Sequence, residues 1–230
     1  MHEINPHEWY SGVPLPEVLR YAGIREEAAC GEELRQSAAE AVDAVGQAAA
    51  PKRIFRECRL QMPQAGVCEI DGMVWNSKSL SAHLRGCDRV LLFAATLGSS
   101  VDRLIARSSA VRMSQAVMMQ AAAATLIEYY CDESCAAQEE EYRRAGYYCK
   151  PRFSPGYGDF PLSCQIDLMT HLNAYKYTGI TVSSGGQMIP MKSVSAVIGL
   201  TRDKQNGATG SCAGGKCANC PNVGCEFRRV

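Results

Sequence analysis

With 230 residues the chain is long enough to bury a substantial core, in one domain or two small ones. Its 24 basic and 24 acidic residues cancel, so it lacks the basic excess that drives nucleic-acid binding, and no nucleic-acid partner is expected. No apolar run reaches the length of a membrane span, and the opening MHEINPHEWY has no basic stretch leading into an apolar one, so the expectation is a cytoplasmic protein with no membrane partner.

In chain order, residues 15–22 (LPEVLRYA) have the spacing of a short helix. Residues 25–50 predict a longer, alanine-rich helix that Pro51 ends. RIFRECRLQ alternates as a strand does, and VCEIDGM reads as a partner strand or a turn. NSKSLSAHL offers an asparagine N-cap followed by helical spacing. DRVLLFAATLG is a β-rich apolar run that predicts a buried strand ended by Gly98, and SSVDRLIAR a capped helix after it.

The longest helical pattern covers residues 112–144, with Met118, Ala121, Ala122 and Thr125 along one side. CKPRFSPGYGDFPLSC interrupts it with prolines and glycines, a helix over residues 165–175 follows, and ITVSSGGQMIP with MKSVSAVIGLTR reads as loop and then strand. Irregular alternation of strands and helices points to α+β, or to α/β with a mixed sheet. After Asp203 the chain turns polar, Gly-rich and Cys-rich. We therefore divide it into a body, residues 1–203, whose first fifty residues are helical, and a four-cysteine tail, residues 204–230. Of the 12 cysteines, Cys30, Cys58, Cys68, Cys87, Cys131, Cys135, Cys149 and Cys164 are scattered, and in a reducing compartment they read as small buried apolar residues.

The segment PRFSPGYGDFP is the most specific signal in the body. Pro151, Pro155 and Pro161 fix φ, while Gly156 and Gly158 admit conformations closed to other residues. Such a segment can present main-chain groups to a ligand; Arg152 adds a planar fork suited to a carboxylate, and Tyr157 an aromatic face with a hydroxyl. Read from composition alone, it is either a ligand-binding loop or a rigid surface loop with an ordinary ion pair.

Arg152, Ser154, Pro155, Gly156 and Tyr157 together resemble the S-adenosylmethionine-binding loop in the activation (reactivation) domain of cobalamin-dependent methionine synthase. QMIPMKSVSAVIGL resembles that family's later Met-x-Pro…Ser-Val-Ser segment, and LLFAATLGSSVDRL its small standalone branch. The resemblance runs over residues 53–200 in the same order. It implies an α+β fold, a mixed or antiparallel sheet with packed helices. It also implies that Arg152 binds the carboxylate of S-adenosylmethionine, and that backbone groups around Ser154, Gly156 and Tyr157 hold its adenosyl and ribose parts. The family's glutamate for the ligand's amino group has its counterpart in Glu128, which continues the Met118–Ala121–Thr125 stripe toward the packed side. A carboxylate there needs a partner: a ligand ammonium or sulfonium, or an arginine such as Arg152. After Ser195 the sequence AVIGLTRD lacks the tyrosine-bearing segment of the large family members.

The implied reaction is rescue of oxidised cobalamin on a partner, a methionine synthase or its corrinoid module, with one electron and a methyl group from S-adenosylmethionine. Such a role needs positioning and no catalytic residue. No catalytic triad or paired-carboxylate site is recognisable, and His2, His7, His83 and His171 read as isolated surface or helix histidines.

The tail reads C-x4-C-x2-C-x4-C through Cys212, Cys217, Cys220 and Cys225, a set that fits a structural zinc ion or an iron–sulfur cluster. Disulfides are disfavoured in the cytosol, and an incidental or redox-sensing tail is the further alternative. Because the implied rescue consumes an electron and no other redox group is recognisable, the cluster is preferred, fed by a donor such as flavodoxin or ferredoxin. Two rival functions stand beside activation: a docking scaffold of the same fold with a zinc-stiffened tail, and a free-standing methyltransferase acting on another corrinoid protein.

Overall fold

In the computed structural model, residues 9–24, 31–205 and 207 are described. Helices α1 (Leu15–Tyr21) and α2 (Glu32–Ala48) lead into strand β1 (Lys52–Gln61), hairpin β2 (Val67–Ile70) and β3 (Met73–Asn76), and the short helix α3 (Lys78–His83). Strand β4 (Arg89–Thr96) is followed by α4 (Ser99–Val111) and the long α5 (Met113–Arg144). The chain ends with β5 (Tyr148–Cys149), α6 (Cys164–His171), α7 (Ala174–Thr178), β6 (Thr181–Val182), β7 (Met188–Ile189) and β8 (Ser193–Thr201).

The main sheet has the order β3-β2-β1-β4-β8-β5 and every pairing in it is antiparallel, so the fold is α+β as expected. β4 lies near its middle between β1 and β8, which is why its apolar residues do not alternate with polar ones. Leu91, Phe93 and Ala95 face one core, built with α1, α2, α4 and α5, while Val90, Leu92 and Ala94 face a second, built with α3, α6, α7 and Phe160. The sheet is thus the middle layer of three. The scattered cysteines fill these cores: Cys58, Cys68, Cys87, Cys131, Cys135 and Cys149 are buried and Cys164 is half-buried, all as free thiols.

One local expectation is met in both its readings and two change. VCEIDGM is one strand plus a two-residue turn, Asp71–Gly72, which folds the chain back into β3. The cap of α3 is Ser77, whose hydroxyl accepts from the Leu80 N–H at 3.0 Å, while Asn76 is the last residue of β3. The helix expected over residues 165–175 breaks into α6 and α7 at Asn173, where φ is 52°.

Candidate functional site

α5 carries Thr125, Glu128 and Asp132 at helical i+3 and i+4 steps, so they share one face. Arg152 reaches that face from the loop after β5. The backbone on both sides of it is laddered to β8: the Lys150 N–H donates to Gly199 O at 2.8 Å, and Phe153 exchanges bonds of 2.9 and 2.8 Å with Val197. In an extended segment consecutive side chains point to opposite faces. Phe153 accordingly enters the second core and Arg152 turns toward α5.

The Arg152 side chain is only 3% exposed. Its Nη2 lies 2.8 Å from Glu128 Oε2 and 2.8 Å from Asp132 Oδ1, and its Nη1 points at Cys135 Sγ, 4.0 Å away. Burial pulls its pKa down, but the neighbouring Cys131, Cys135, Asp132 and Glu128 outweigh that and raise it, so the guanidinium stays charged. The two carboxylates are the groove side of this cluster. Glu128 and Asp132 line a cavity of about 790 Å³ between α5 and the α1 end of the chain, with Tyr21, Thr125, Tyr129 and Glu133. Glu128 is 39% exposed, so it belongs as much to the groove as to Arg152.

Tyr21 lines the same cavity as Glu128, and the Glu128 charge is felt at two phenols. The pKa of Tyr157 is raised, by burial first and then by the Glu128 charge; Tyr21 is shifted upward by the same two causes in the same order. Tyr157 packs edge-on against Phe153, with ring centroids 5.9 Å apart, and keeps its ring accessible.

The loop is fixed at its far end by Asp159, which accepts from the Ser77 hydroxyl at 2.6 Å and from the Lys78 and Ser79 N–H groups at 2.9 Å each. These bonds, the Ser77 hydroxyl foremost, hold the Asp159 carboxyl well below the usual range. Phe160 is buried against Trp75, and His83 contacts the Pro151 carbonyl at 2.9 Å, a role its reading as an isolated histidine did not anticipate. Gly158 has φ 55°, and a Cβ on it would meet Ser79 Oγ at 2.5 Å. Within the loop, the Gly156 N–H donates to Phe160 O at 2.8 Å and the Tyr157 N–H to Ser154 O at 3.1 Å. Those amides serve the loop itself, so what it offers at the surface is the Tyr157 ring and the remaining carbonyls.

Of the sequence-derived site residues, Glu128 and Arg152 are in direct contact, Tyr157 lies within the field of Glu128, and Ser154 and Gly156 shape the turn that presents Tyr157. Asp132 and Tyr21 were not singled out. The first could have been found as the next residue on the Glu128 face, while nothing in the sequence ties Tyr21 to it. Cys212, Cys217, Cys220 and Cys225 lie outside the described residues, as do Cys30, His2 and His7. The groove is lined by carboxylates and tyrosine rings together with Arg143. No helix among the described residues is long and apolar enough to cross a membrane.

No family model matches the chain, and no curated protein does. Among solved structures, it is similar to the MetH reactivation domain bound to AdoHcy, with a TM-score of 0.59 and 19% identity over 86% of this chain and 72% of that one. At that identity the likeness carries the fold: this chain has the α+β architecture of a methionine synthase reactivation domain.

Proposed function

We propose that the chain is an S-adenosylmethionine-binding activation protein that acts in trans on a cobalamin-dependent methionine synthase or its corrinoid module. The observation that carries this reading is a reactivation-domain fold in which the Glu128–Arg152 pair opens onto an acidic, tyrosine-flanked groove. S-adenosylmethionine brings a sulfonium, an ammonium and a carboxylate. Glu128 and Asp132 suit the ammonium, and the exposed Tyr157 ring suits the sulfonium. Arg152 suits the carboxylate, and reaching it requires Glu128 to swing from the guanidinium to the ligand's ammonium. That exchange breaks one ion pair and makes two. The backbone of the turn around Ser154, Gly156 and Tyr157 would hold the adenosyl and ribose parts.

The corrinoid, carried by the partner, supplies the nucleophile for the methyl group. This chain has only to bind and orient the sulfonium. We assign the electron relay to Cys212, Cys217, Cys220 and Cys225 as an iron–sulfur cluster fed by a flavodoxin- or ferredoxin-type donor, with zinc as the alternative occupant. That assignment rests on their spacing and on the electron that the rescue consumes.

One observation favours a second reading. Arg152 is buried and already satisfied by two carboxylates, as it would be in a docking scaffold that has lost its ligand. The deciding assay supplies the corrinoid module alone, without a reactivation domain and in its cob(II)alamin form, with a chemical reductant and methyl-labelled S-adenosylmethionine. An activation protein transfers label to the corrinoid, and Glu128→Gln abolishes the transfer. A scaffold binds the partner and transfers none.

A further inference from the structure

A second cluster of chemically competent side chains lies on the opposite face of the sheet from α5. Cys58 on β1, Asp71 in the β2–β3 turn and His171 at the end of α6 bring one sulfur, one carboxylate oxygen and one ring nitrogen to within 4.8 Å of one another. Each is placed by a separate local cause. Asp71 and Gly72 have φ of 44° and 86°, the two-residue Asp-Gly hairpin turn in which both residues are left-handed. That turn aims the Asp71 carboxylate back across β1, where the Arg59 N–H donates to Oδ1 at 3.0 Å. The guanidinium of Arg56 donates to the His171 carbonyl and pins the helix end against the same strand. Cys58 is buried at 3% exposure, with its thiol toward the second core.

With Oδ1 held by the backbone, Oδ2 faces His171 Nε2 at 3.6 Å. That separation is too long for a hydrogen bond. It is close to the ~3.3 Å edge between two ligands of a tetrahedral ion with bonds of about 2.0–2.1 Å. Thiolate, carboxylate and neutral imidazole form a borderline-soft donor set whose two negative charges balance a dication. A cavity of about 330 Å³ lined by Cys58 and Asp71, with Glu57, Arg59 and Arg89 around it, opens beside the cluster. Three protein ligands and an adjacent solvent-accessible space are the layout of a four-coordinate site with one exchangeable position.

We propose that Cys58, Asp71 and His171 form a binding site for a divalent transition-metal ion of the zinc class, with its fourth position facing the cavity beside Arg59 and Arg89. The Arg59 N–H on Asp71 Oδ1 is the outer-shell support that orients the carboxylate, and the Arg56 contact with the His171 main-chain carbonyl holds the helix end that carries the imidazole.

The experiment uses the full-length chain with Cys212, Cys217, Cys220 and Cys225 changed to serine, so that tail thiols do not compete, stripped of metal and titrated with Co(II) and then Zn(II). The expected result is one equivalent of Co(II) per chain with four-coordinate d–d bands and a thiolate-to-metal band in the near-ultraviolet. Cys58→Ser removes the thiolate band. His171→Ala weakens binding by more than ~100-fold, because loss of an outer-shell partner alone costs 10–100-fold. In the wild-type full-length chain, His171→Ala lowers bound zinc by one equivalent, which keeps the test open if the tail variant folds poorly. A folded chain that takes up no metal at micromolar Zn(II), or a His171→Ala chain that binds as tightly as its parent, overturns the proposal. The titration contains no S-adenosylmethionine, so its outcome is independent of the proposed function.

Discussion

Changing Arg152 to Met keeps most of the side-chain length and removes the charge that holds Glu128 and Asp132 together. Removing one partner of a fully buried ion pair costs about 3–5 kcal/mol, whereas an exposed pair contributes about 0–1 kcal/mol. The arginine is on the buried side of that scale at 3% exposure, but its partners, at 39% and 24%, can rehydrate from the groove. The expected loss is therefore intermediate, about 2 kcal/mol, with the larger share from Asp132, the less exposed carboxylate. For a chain of this size that corresponds to a fall of about 4–8 °C in Tm. Thermal melts at pH 7 followed by far-UV circular dichroism, repeated with Asp132→Asn added, test the reasoning. The second change removes the stranded charge and should restore about half of the loss. An Arg152→Met chain that melts within a degree of wild type would refute it, as would an Asp132→Asn change that deepens the loss.

Two further predictions concern the loop. Gly158→Ala places a Cβ 2.5 Å from Ser79 Oγ at a φ of 55°, so it should cost about 1–3 kcal/mol in a urea unfolding series, and Ser79→Gly should recover part of that. Asp159 has its pKa depressed in the folded chain, so its contribution is present above the ordinary aspartate value of 3.8 and is lost as the pH falls below it. Asp159→Asn should flatten the acid limb of the stability profile in that range, read from urea midpoints, while an unchanged limb would mean that the bonds to Ser77, Lys78 and Ser79 carry no stability.

Where the sequence was readable, a local pattern matched the environment that fixes the element. VLLFAA in β4 is apolar at consecutive positions because that strand is covered on both faces. Glu128 was legible because its helix is long and regular. What could not be read was set by competition between neighbours or by distant contacts. Asn76 and Ser77 both have cap-forming side chains, and the cap went to Ser77 because Asn76 is taken by pairing with Val67. Asn173 adopts a left-handed conformation that divides a continuous helical pattern. Whether Glu128 meets an arginine or stands free depends on how the chain returns along β8, which no periodicity encodes. The meeting of Cys58 with His171 has the same origin, since each alone looks like an ordinary core thiol and an ordinary helix histidine.

The central claim, that the groove beside Glu128 binds S-adenosylmethionine, is tested most directly by calorimetric titration of the full-length chain with S-adenosylmethionine and S-adenosylhomocysteine at pH 7. The account predicts one site per chain and at least tenfold weaker binding in Glu128→Gln, about 1.4 kcal/mol. Absence of heat together with an unchanged Tm at millimolar ligand would contradict it.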